Sequence, residues 1–221
     1  MAQMLGRSWI GRLWLLLVAV AALVAGIELA ALSQGDLRGP ATRFFFGPSG
    51  EWVQPSGVTP TIEPLVDGTT VTAIGDSVLL AAVDDLEALV PGIEIDAEIG
   101  RLVSEVIDVL EEQSEAGRLR DVVVIHIGNN GEFSDSQLDE MVAIAGSERE
   151  VVFVNVTVSR EWEGPNNRVI ARGVQHHPNV FLVDWHATTQ QVSGLLWEDG
   201  VHLRPEGAIA YAEMVAVFLQ P

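Results

Sequence analysis

Two almost wholly apolar segments, residues 122–127 and 151–158, constrain the fold of this chain more than any other feature. Strands without a polar alternation are buried on both faces, as in parallel sheets that carry helices on each side. Segments with apolar residues three or four positions apart separate these runs from each other and from shorter strand-like runs. The pattern predicts an α/β chain with a three-layer, flavodoxin-like, doubly wound parallel sheet of five strands.

The alternation assigns all of these elements to a domain that spans residues 69–221. The predicted strands are 70–74, 93–99, 122–127, 151–158 and 180–183. The predicted helices are 78–90, 102–113, 134–145 with Ser134 as its cap, 165–175 and 205–219. The segment between the fifth strand and the last helix is predicted to be a loop.

The first 32 residues differ from the rest of the chain in hydropathy. Residues 13–27 are uncharged and mostly aliphatic, and after Glu28 the apolar run continues to residue 32. A bilayer core needs about 20 such residues as helix, so this run predicts a single-pass transmembrane anchor (13–32). Arg7 and Arg12 predict that the short N-terminus (1–12) is cytoplasmic and that the C-terminal domain is extracytoplasmic. A cleaved signal peptide has the same pattern and leads to the same location for the domain.

Residues 33–68 join this segment to the predicted domain. They are rich in Gly, Pro, Ser and Thr, and neither a strand period nor a helix period persists in them. The composition predicts a linker.

Charge and composition exclude several classes of function. The formal net charge is −19, and nucleic-acid binding requires clustered cations. All the basic residues are Arg, so no Lys can form a Schiff base. The chain also contains no Cys, which excludes thiol catalysis, disulfides and Cys-ligated zinc.

Three polar or glycine-bearing turns follow the first three predicted strands. The first strand ends in Gly75-Asp76-Ser77, the second runs to Gly100, and Gly128-Asn129-Asn130-Gly131 follows the third. In the flavodoxin-like strand order 2-1-3-4-5, ligands bind at the C-terminal strand ends beside the reversal between the first and third strands. We therefore expect these turns to form one crevice.

The crevice contains the residues needed for acyl transfer by a serine. Ser77 lies at a strand-to-helix turn, and Asp199 and His202 lie in the loop before the last helix. The spacing allows Asp199 to bind one imidazole nitrogen while the other faces the Ser77 hydroxyl. The backbone N–H groups of Ser77 and Gly100 and the side-chain amide of Asn130 are candidate oxyanion donors.

At these residues the chain resembles the SGNH hydrolases, also called GDSL-type esterases. The family is named for a Ser, Gly, Asn and His that match Ser77, Gly100, Asn130 and His202, with Asp199 three residues before the His. The resemblance covers about residues 69–219. The chain is similar in particular to the SGNH domains that are fused behind multi-pass membrane acyltransferases in actinobacteria. Those SGNH domains tend to have Thr at the position of Asn129.

The resemblance implies a membrane-anchored serine esterase or O-acyltransferase that acts on ester-linked acyl groups, acetyl among them, of cell-envelope glycans. It implies no metal and no organic cofactor, and a multi-pass membrane acyltransferase is a possible partner. Whether water or a sugar hydroxyl accepts the acyl group stays open. The alternatives are a catalytically idle module that presents carbohydrate to such a partner, and an FMN protein with the same sheet order. The second would need a phosphate-binding loop after the first strand, which Gly75-Asp76-Ser77-Val78 does not supply.

Several other polar and aromatic residues near these turns have more than one interpretation. Asp184 and His186 follow the fifth strand and are interpreted as structural or as part of the rim. Trp162 and Trp197 lie in loops near the expected site and either stack on a sugar or cover the core. Arg101 either contacts substrate or is solvated at a helix start. Asp76 is interpreted as a structural residue that forms a hydrogen bond across the turn. His126 is interpreted as a core histidine whose hydrogen bonds are satisfied.

Overall fold

A computed structural model of the chain describes residues 45–46, 52–53 and 66–220. The predicted anchor, 13–32, lies outside these residues, and no helix among the described ones has the length and hydropathy to cross a bilayer. Within the predicted linker, Phe45–Phe46 and Trp52–Val53 pair as two short antiparallel strands. The linker itself stays a prediction.

The remaining described residues form a five-stranded, wholly parallel sheet with the order β2-β1-β3-β4-β5. The strands are β1 (Val71–Gly75), β2 (Glu94–Ala97), β3 (Val122–His126), β4 (Glu150–Val154) and β5 (Val180–Val183). The helices are α1 (Ser77–Ala81), α2 (Val83–Leu89), α3 (Val103–Glu115), α4 (Asp135–Ala145), α5 (Glu163–His176), α6 (Trp185–Gln191) and α7 (Pro205–Leu219). The predicted doubly wound α/β fold and strand order are confirmed.

The helices form two layers because the strands are apolar on both faces. Helices α3, α4 and α5 pack side by side on a core that contains Ile125 and Phe153. Alternate strand residues such as Val124 and Val152 are fully buried on the opposite face, where α2 packs against α7. Burial of these side chains on both faces is the main source of stability in such a sheet.

Three elements differ from their predicted form. The predicted helix 78–90 is broken at Ala82, whose backbone N–H bonds to residues three and two positions before it, so α1 and α2 are separate helices. The predicted strand 151–158 ends at Val154. Val156 and Val158 are buried as expected, but they lie in a loop and do not pair with a neighbouring strand. The predicted loop after β5 contains helix α6, whose first turn is capped by Asp184.

Candidate active site

Ser77 lies at the C-terminal edge of the sheet, at the start of α1. In the register of the sheet, Gly75 lies beside both Ala97 and His126, so the turns after β1, β2 and β3 meet at this edge. Asp76 is the N-cap residue of α1, and its carboxylate accepts a hydrogen bond from the Val78 N–H at 3.0 Å. Since the first N–H groups of a helix have no partner within it, the N–H of Ser77 is available to a ligand.

Ser77, His202 and Asp199 form one hydrogen-bonded chain. The Oγ of Ser77 is 3.2 Å from Nε2 of His202, and Nδ1 of His202 is 2.8 Å from Oδ2 of Asp199. The other Asp199 oxygen accepts from the backbone N–H groups of Val201 and His202 at 2.9 and 3.0 Å. The imidazole of His202, followed by the Val201 N–H, lowers the pKa of Asp199 to about 2. Asp199 is therefore ionised and acts only as an acceptor toward His202.

A short two-stranded bridge before α7 holds His202 in place. The Trp197 N–H donates to the His202 carbonyl at 2.9 Å, and the Arg204 N–H donates to the Leu195 carbonyl at 2.9 Å. Gly207, in the first turn of α7, packs against Leu195 so closely that a Cβ would overlap its carbonyl oxygen. The absence of a side chain at Gly207 thus sets the distance between α7 and the segment that carries His202.

Gly100 and Asn130, the other candidate oxyanion donors, lie in the turns after β2 and β3. Gly100 has φ +77°, a conformation that glycine adopts without steric cost. Both residues are exposed. One hydrogen of the Asn130 Nδ2 group is directed to the Arg101 carbonyl at 3.2 Å, which leaves its second hydrogen for a ligand.

Arg101 is buried beneath this site rather than exposed to solvent, and it is one of the residues that line a pocket beside Asn130. Its guanidinium is 6% exposed, bonds to Asp96 Oδ1 at 2.6 Å, and donates to the Gly75 carbonyl at 3.2 Å. The same residue follows Gly100 and accepts from Asn130, so it connects the three turns that hold the candidate oxyanion donors. The interpretation of Arg101 as a solvated residue at a helix start was wrong, because its guanidinium is held by Asp96 and by the Gly75 carbonyl of β1. Its contact with substrate stays a prediction.

A buried polar network lies behind Ser77. Nδ2 of Asn129 donates to both Asp76 oxygens at 3.2 and 3.0 Å and is 3.1 Å from Nε2 of His126. Nδ1 of His126 is 2.7 Å from the Tyr211 hydroxyl. Burial lowers the pKa of His126, so the imidazole is neutral, accepts from Asn129 and donates to Tyr211. The predicted structural role of Asp76 and the predicted core position of His126 are confirmed; Tyr211 and Asn129 were not singled out as partners.

A pocket of about 200 Å³ adjoins Asn130 on the side of α3. Its lining includes the apolar side chains of Leu102, Val103 and Ile127 and the polar ones of Ser104 and Gln137. No group of three or more His, Asp or Glu residues that could hold a metal ion occurs in the part of the chain that the structure describes.

The remaining singled-out residues lie around the site or apart from it. The Trp162 indole N–H donates to the Asn129 carbonyl at 3.3 Å, so this ring supports the turn that carries Asn130. Asp184 caps α6 and accepts from the Asn155 amide at 2.7 Å, and the backbone N–H of His186 donates to the same Asn155 side chain at 2.8 Å. The structural interpretation of Asp184 and His186 agrees with these contacts.

Comparisons with known proteins place this arrangement beside two groups of proteins. Over 147 residues the chain is 33% identical to peptidoglycan O-acetyltransferase OatA of Listeria monocytogenes, a match that covers 66% of this chain and 23% of that protein. The chain thus spans about a quarter of the length of the curated relatives it matches. No protein-family model matches it.

Solved structures with the same fold are similar over most of their own length. One is the C-terminal catalytic domain of Streptococcus pneumoniae peptidoglycan O-acetyltransferase A with a methylsulfonyl adduct (TM-score 0.62, 24% identity, 70% of this chain and 93% of that chain). Another is a family 3 carbohydrate esterase of Clostridium thermocellum (TM-score 0.52, 16% identity, 66% of this chain and 92% of that chain).

Proposed function

We propose that this chain, a member of the SGNH hydrolase family, is an extracytoplasmic serine esterase or O-acyltransferase. Its proposed substrates are acyl groups, chiefly acetyl, on cell-envelope glycans. The observation that carries this proposal is the chain of hydrogen bonds from Ser77 through His202 to Asp199. Two of the similar proteins are named as peptidoglycan O-acetyltransferases, and this similarity supports a glycan ester as the substrate.

In the proposed reaction Ser77 is the nucleophile and His202 is the base. Nε2 of His202 takes the hydroxyl proton as Oγ forms a bond to the ester carbonyl carbon. The bond from this carbon to the alkoxy oxygen then breaks, and the imidazolium protonates the leaving oxygen. Water or a sugar hydroxyl next gives its proton to His202, attacks the acyl-serine, and releases Ser77 with its proton restored.

Asp199 and the three donors stabilise charge in this reaction. The carboxylate of Asp199 holds the imidazole in the tautomer with the proton on Nδ1 and stabilises the imidazolium. The backbone N–H groups of Ser77 and Gly100 and the amide of Asn130 would bind the oxyanion. Loss of one such donor typically costs about 10²–10³ in rate.

We propose a location from the N-terminal segment and a partner from the resemblance to SGNH domains that are fused to membrane acyltransferases. We propose that residues 13–32 anchor the protein in the membrane, with the catalytic domain outside the cytoplasm. The basic residues Arg7 and Arg12 before this segment support that orientation. A multi-pass membrane acyltransferase is proposed as the partner that supplies acyl groups.

The Ser77→Ala variant of the full chain tests the proposal. We expect the native protein to hydrolyse p-nitrophenyl acetate and to be labelled by a fluorophosphonate probe, and the variant to do neither. Labelling of the variant at the native rate would refute the assignment of the nucleophile. Glycan binding by a native protein that neither turns over esters nor is labelled would instead identify an idle, carbohydrate-presenting module.

Mass spectrometry of the products distinguishes the two acyl acceptors. When the native protein is incubated with p-nitrophenyl acetate and an N-acetylglucosamine trimer, a transferase yields the acetylated trimer. A hydrolase yields acetate and leaves the trimer unchanged.

A further inference from the structure

The large hydrophobic side chains that remain exposed among the described residues belong to the segments that carry the candidate site residues. Four large hydrophobic side chains in this part of the chain are exposed: Leu80, Ile99, Leu102 and Trp197. Each lies within a few residues of Ser77 or Gly100 in sequence, or is hydrogen-bonded to His202 through the backbone. Each of them is therefore a candidate contact for a ligand that binds beside Ser77.

Trp197 is the member of this set that lies beside the base. Leu196 and Leu203 oppose each other across the two-stranded bridge, which makes Trp197 and His202 the next pair along it. Side chains of directly opposed residues lie on the same face of such a pair. Since the imidazole of His202 faces Ser77, the indole of Trp197 is placed at the edge of the reaction centre.

Arg204 fixes this indole and adds polar donors next to it. The Arg204 guanidinium carbon is 4.5 Å from the centre of the Trp197 ring, a cation–π contact that orients both side chains. Trp197 nevertheless keeps 48% of its surface exposed, so the guanidinium covers only part of the ring. The result is a flat apolar surface bordered by a donor group that cannot lose its charge.

We propose that Trp197 and Arg204 form the sugar-binding platform of this enzyme, on which the pyranose ring next to the reacting ester packs. The C–H groups of one pyranose face carry partial positive charge and would contact the electron-rich face of the indole. The guanidinium of Arg204 would donate hydrogen bonds to hydroxyl or N-acetyl oxygens at the ring edge. This inference rests on the proposed function and deepens it, because it names the residues that select a glycan ester over a simple ester.

Two features favour a sugar over an alkyl chain or a lipid surface. An alkyl chain would gain nothing from the guanidinium beside the ring, whereas a sugar presents both an apolar face and polar edges. The chain also has a net charge of −19, and an anionic membrane surface would repel it.

The first experiment compares two substrates in the full chain. The ratio of kcat/KM for an O-acetylated N-acetylglucosamine trimer to kcat/KM for p-nitrophenyl acetate reports recognition of the sugar. We expect Trp197→Ala to lower this ratio about tenfold or more, as truncation of an aromatic contact residue does. Trp197→Phe should retain most of the ratio, and Arg204→Ala should lower it mainly through KM.

Arg118→Ala is the matched control for Arg204→Ala. Arg118 is an exposed arginine that pairs with Glu112 at the end of α3, and its loss should leave both kinetic constants unchanged. A ratio that stays native in Trp197→Ala would overturn the proposal. Equal losses for both substrates would also overturn it, because they would mean that Trp197 only supports the segment carrying His202.

A binding measurement separates this proposal from the proposed catalysis. Calorimetric titration of the Ser77→Ala protein with the unacetylated trimer needs no turnover. Binding that weakens about tenfold on addition of Trp197→Ala supports the platform, and equal binding by both proteins contradicts it. Failure of fluorophosphonate labelling in the native protein would contradict the proposed catalysis alone.

Discussion

Replacement of Asp199 by Asn should lower kcat by about 10³–10⁴-fold with little loss of stability. Oδ1 of Asp199 accepts two backbone N–H groups, so the oxygen of an asparagine amide would take the same position. Its NH₂ group would then face Nδ1 of His202 and force the proton of the imidazole to Nε2. In that tautomer His202 cannot accept the proton of Ser77.

The size of the effect follows from these contacts. The opposite amide orientation would lose two hydrogen bonds of about 1–1.5 kcal/mol each, so the productive tautomer becomes about 30- to 160-fold less populated. Loss of the charge-assisted bond between carboxylate and imidazolium removes about 1.5–3 kcal/mol more from the transition state, or about 10- to 160-fold, so the product of the two factors is centred on roughly 10³–10⁴. Because Asp199 is 49% exposed, its ion pair is screened and unfolding free energy should fall by only about 1 kcal/mol.

Spectrophotometric turnover of p-nitrophenyl acetate and thermal unfolding of the same samples measure the two effects. Glu198→Gln is the matched control, because it removes a charge from the same turn, and no described contact links Glu198 to His202. We expect its kcat to stay within about twofold of the native value. A loss below tenfold in Asp199→Asn, or a larger loss in Glu198→Gln, would refute the assignment of the orienting acid.

Three further predictions concern the fold around the site. Gly207→Ala should lower Tm and abolish turnover, because the Cβ of alanine overlaps the Leu195 carbonyl. An alanine normally stabilises a helix by about 1 kcal/mol over glycine, so a native Tm by calorimetry would contradict this packing. Gly100→Ala should still fold, because no atom lies within 4 Å of the added Cβ, but with a penalty of about 1–2 kcal/mol, because φ is +77°. The kcat of the folded variant should also fall, by a larger free energy than this penalty. Burial, aided by the charge of Asp85, raises the pKa of Glu213 to about 7 from the unfolded value near 4.5; the folded state therefore holds the proton more tightly, and stability present below pH 4.5 is lost as the pH rises through 7. Urea unfolding between pH 4 and 8 should show this slope in the native protein and a shallower one in Glu213→Gln.

The elements that the sequence predicted well have strong local signals. The β3 run is apolar because helices cover both faces, Ser134 forms a capping box with Gln137, and Pro205 occupies the first turn of α7. The elements predicted poorly lack such signals. Val156 and Val158 are as apolar as the strand before them, since apolarity reports burial and not pairing with a neighbouring strand. Helix α6 is short and rich in Thr and Gln. Its N-cap residue, Asp184, was interpreted as a structural or rim residue after the fifth strand and not as the start of a helix.

The residues of the site were predictable where a turn and a topological rule fixed their place. Ser77, His202 and Asp199 were expected to lie together, and the structure brings them within hydrogen-bonding distance. The burial of Arg101 and the contact of His126 with Tyr211, 85 positions away, were not predictable, because no local pattern encodes a partner on a distant strand or helix.

The hydrogen bond between Ser77 and His202 joins residues 125 positions apart. The candidate site is therefore completed only late in the synthesis of the chain. The proposed nucleophile, Ser77, is synthesised early, whereas the proposed base, His202, lies in the segment just before α7. Under the proposed mechanism, a nascent chain that has completed its first strands still has no base, so it is inactive until α7 has folded onto the sheet. In the finished protein the same connection makes activity a sensitive reporter of fraying at the C-terminus, since detachment of α7 would remove His202 while most of the sheet stays intact.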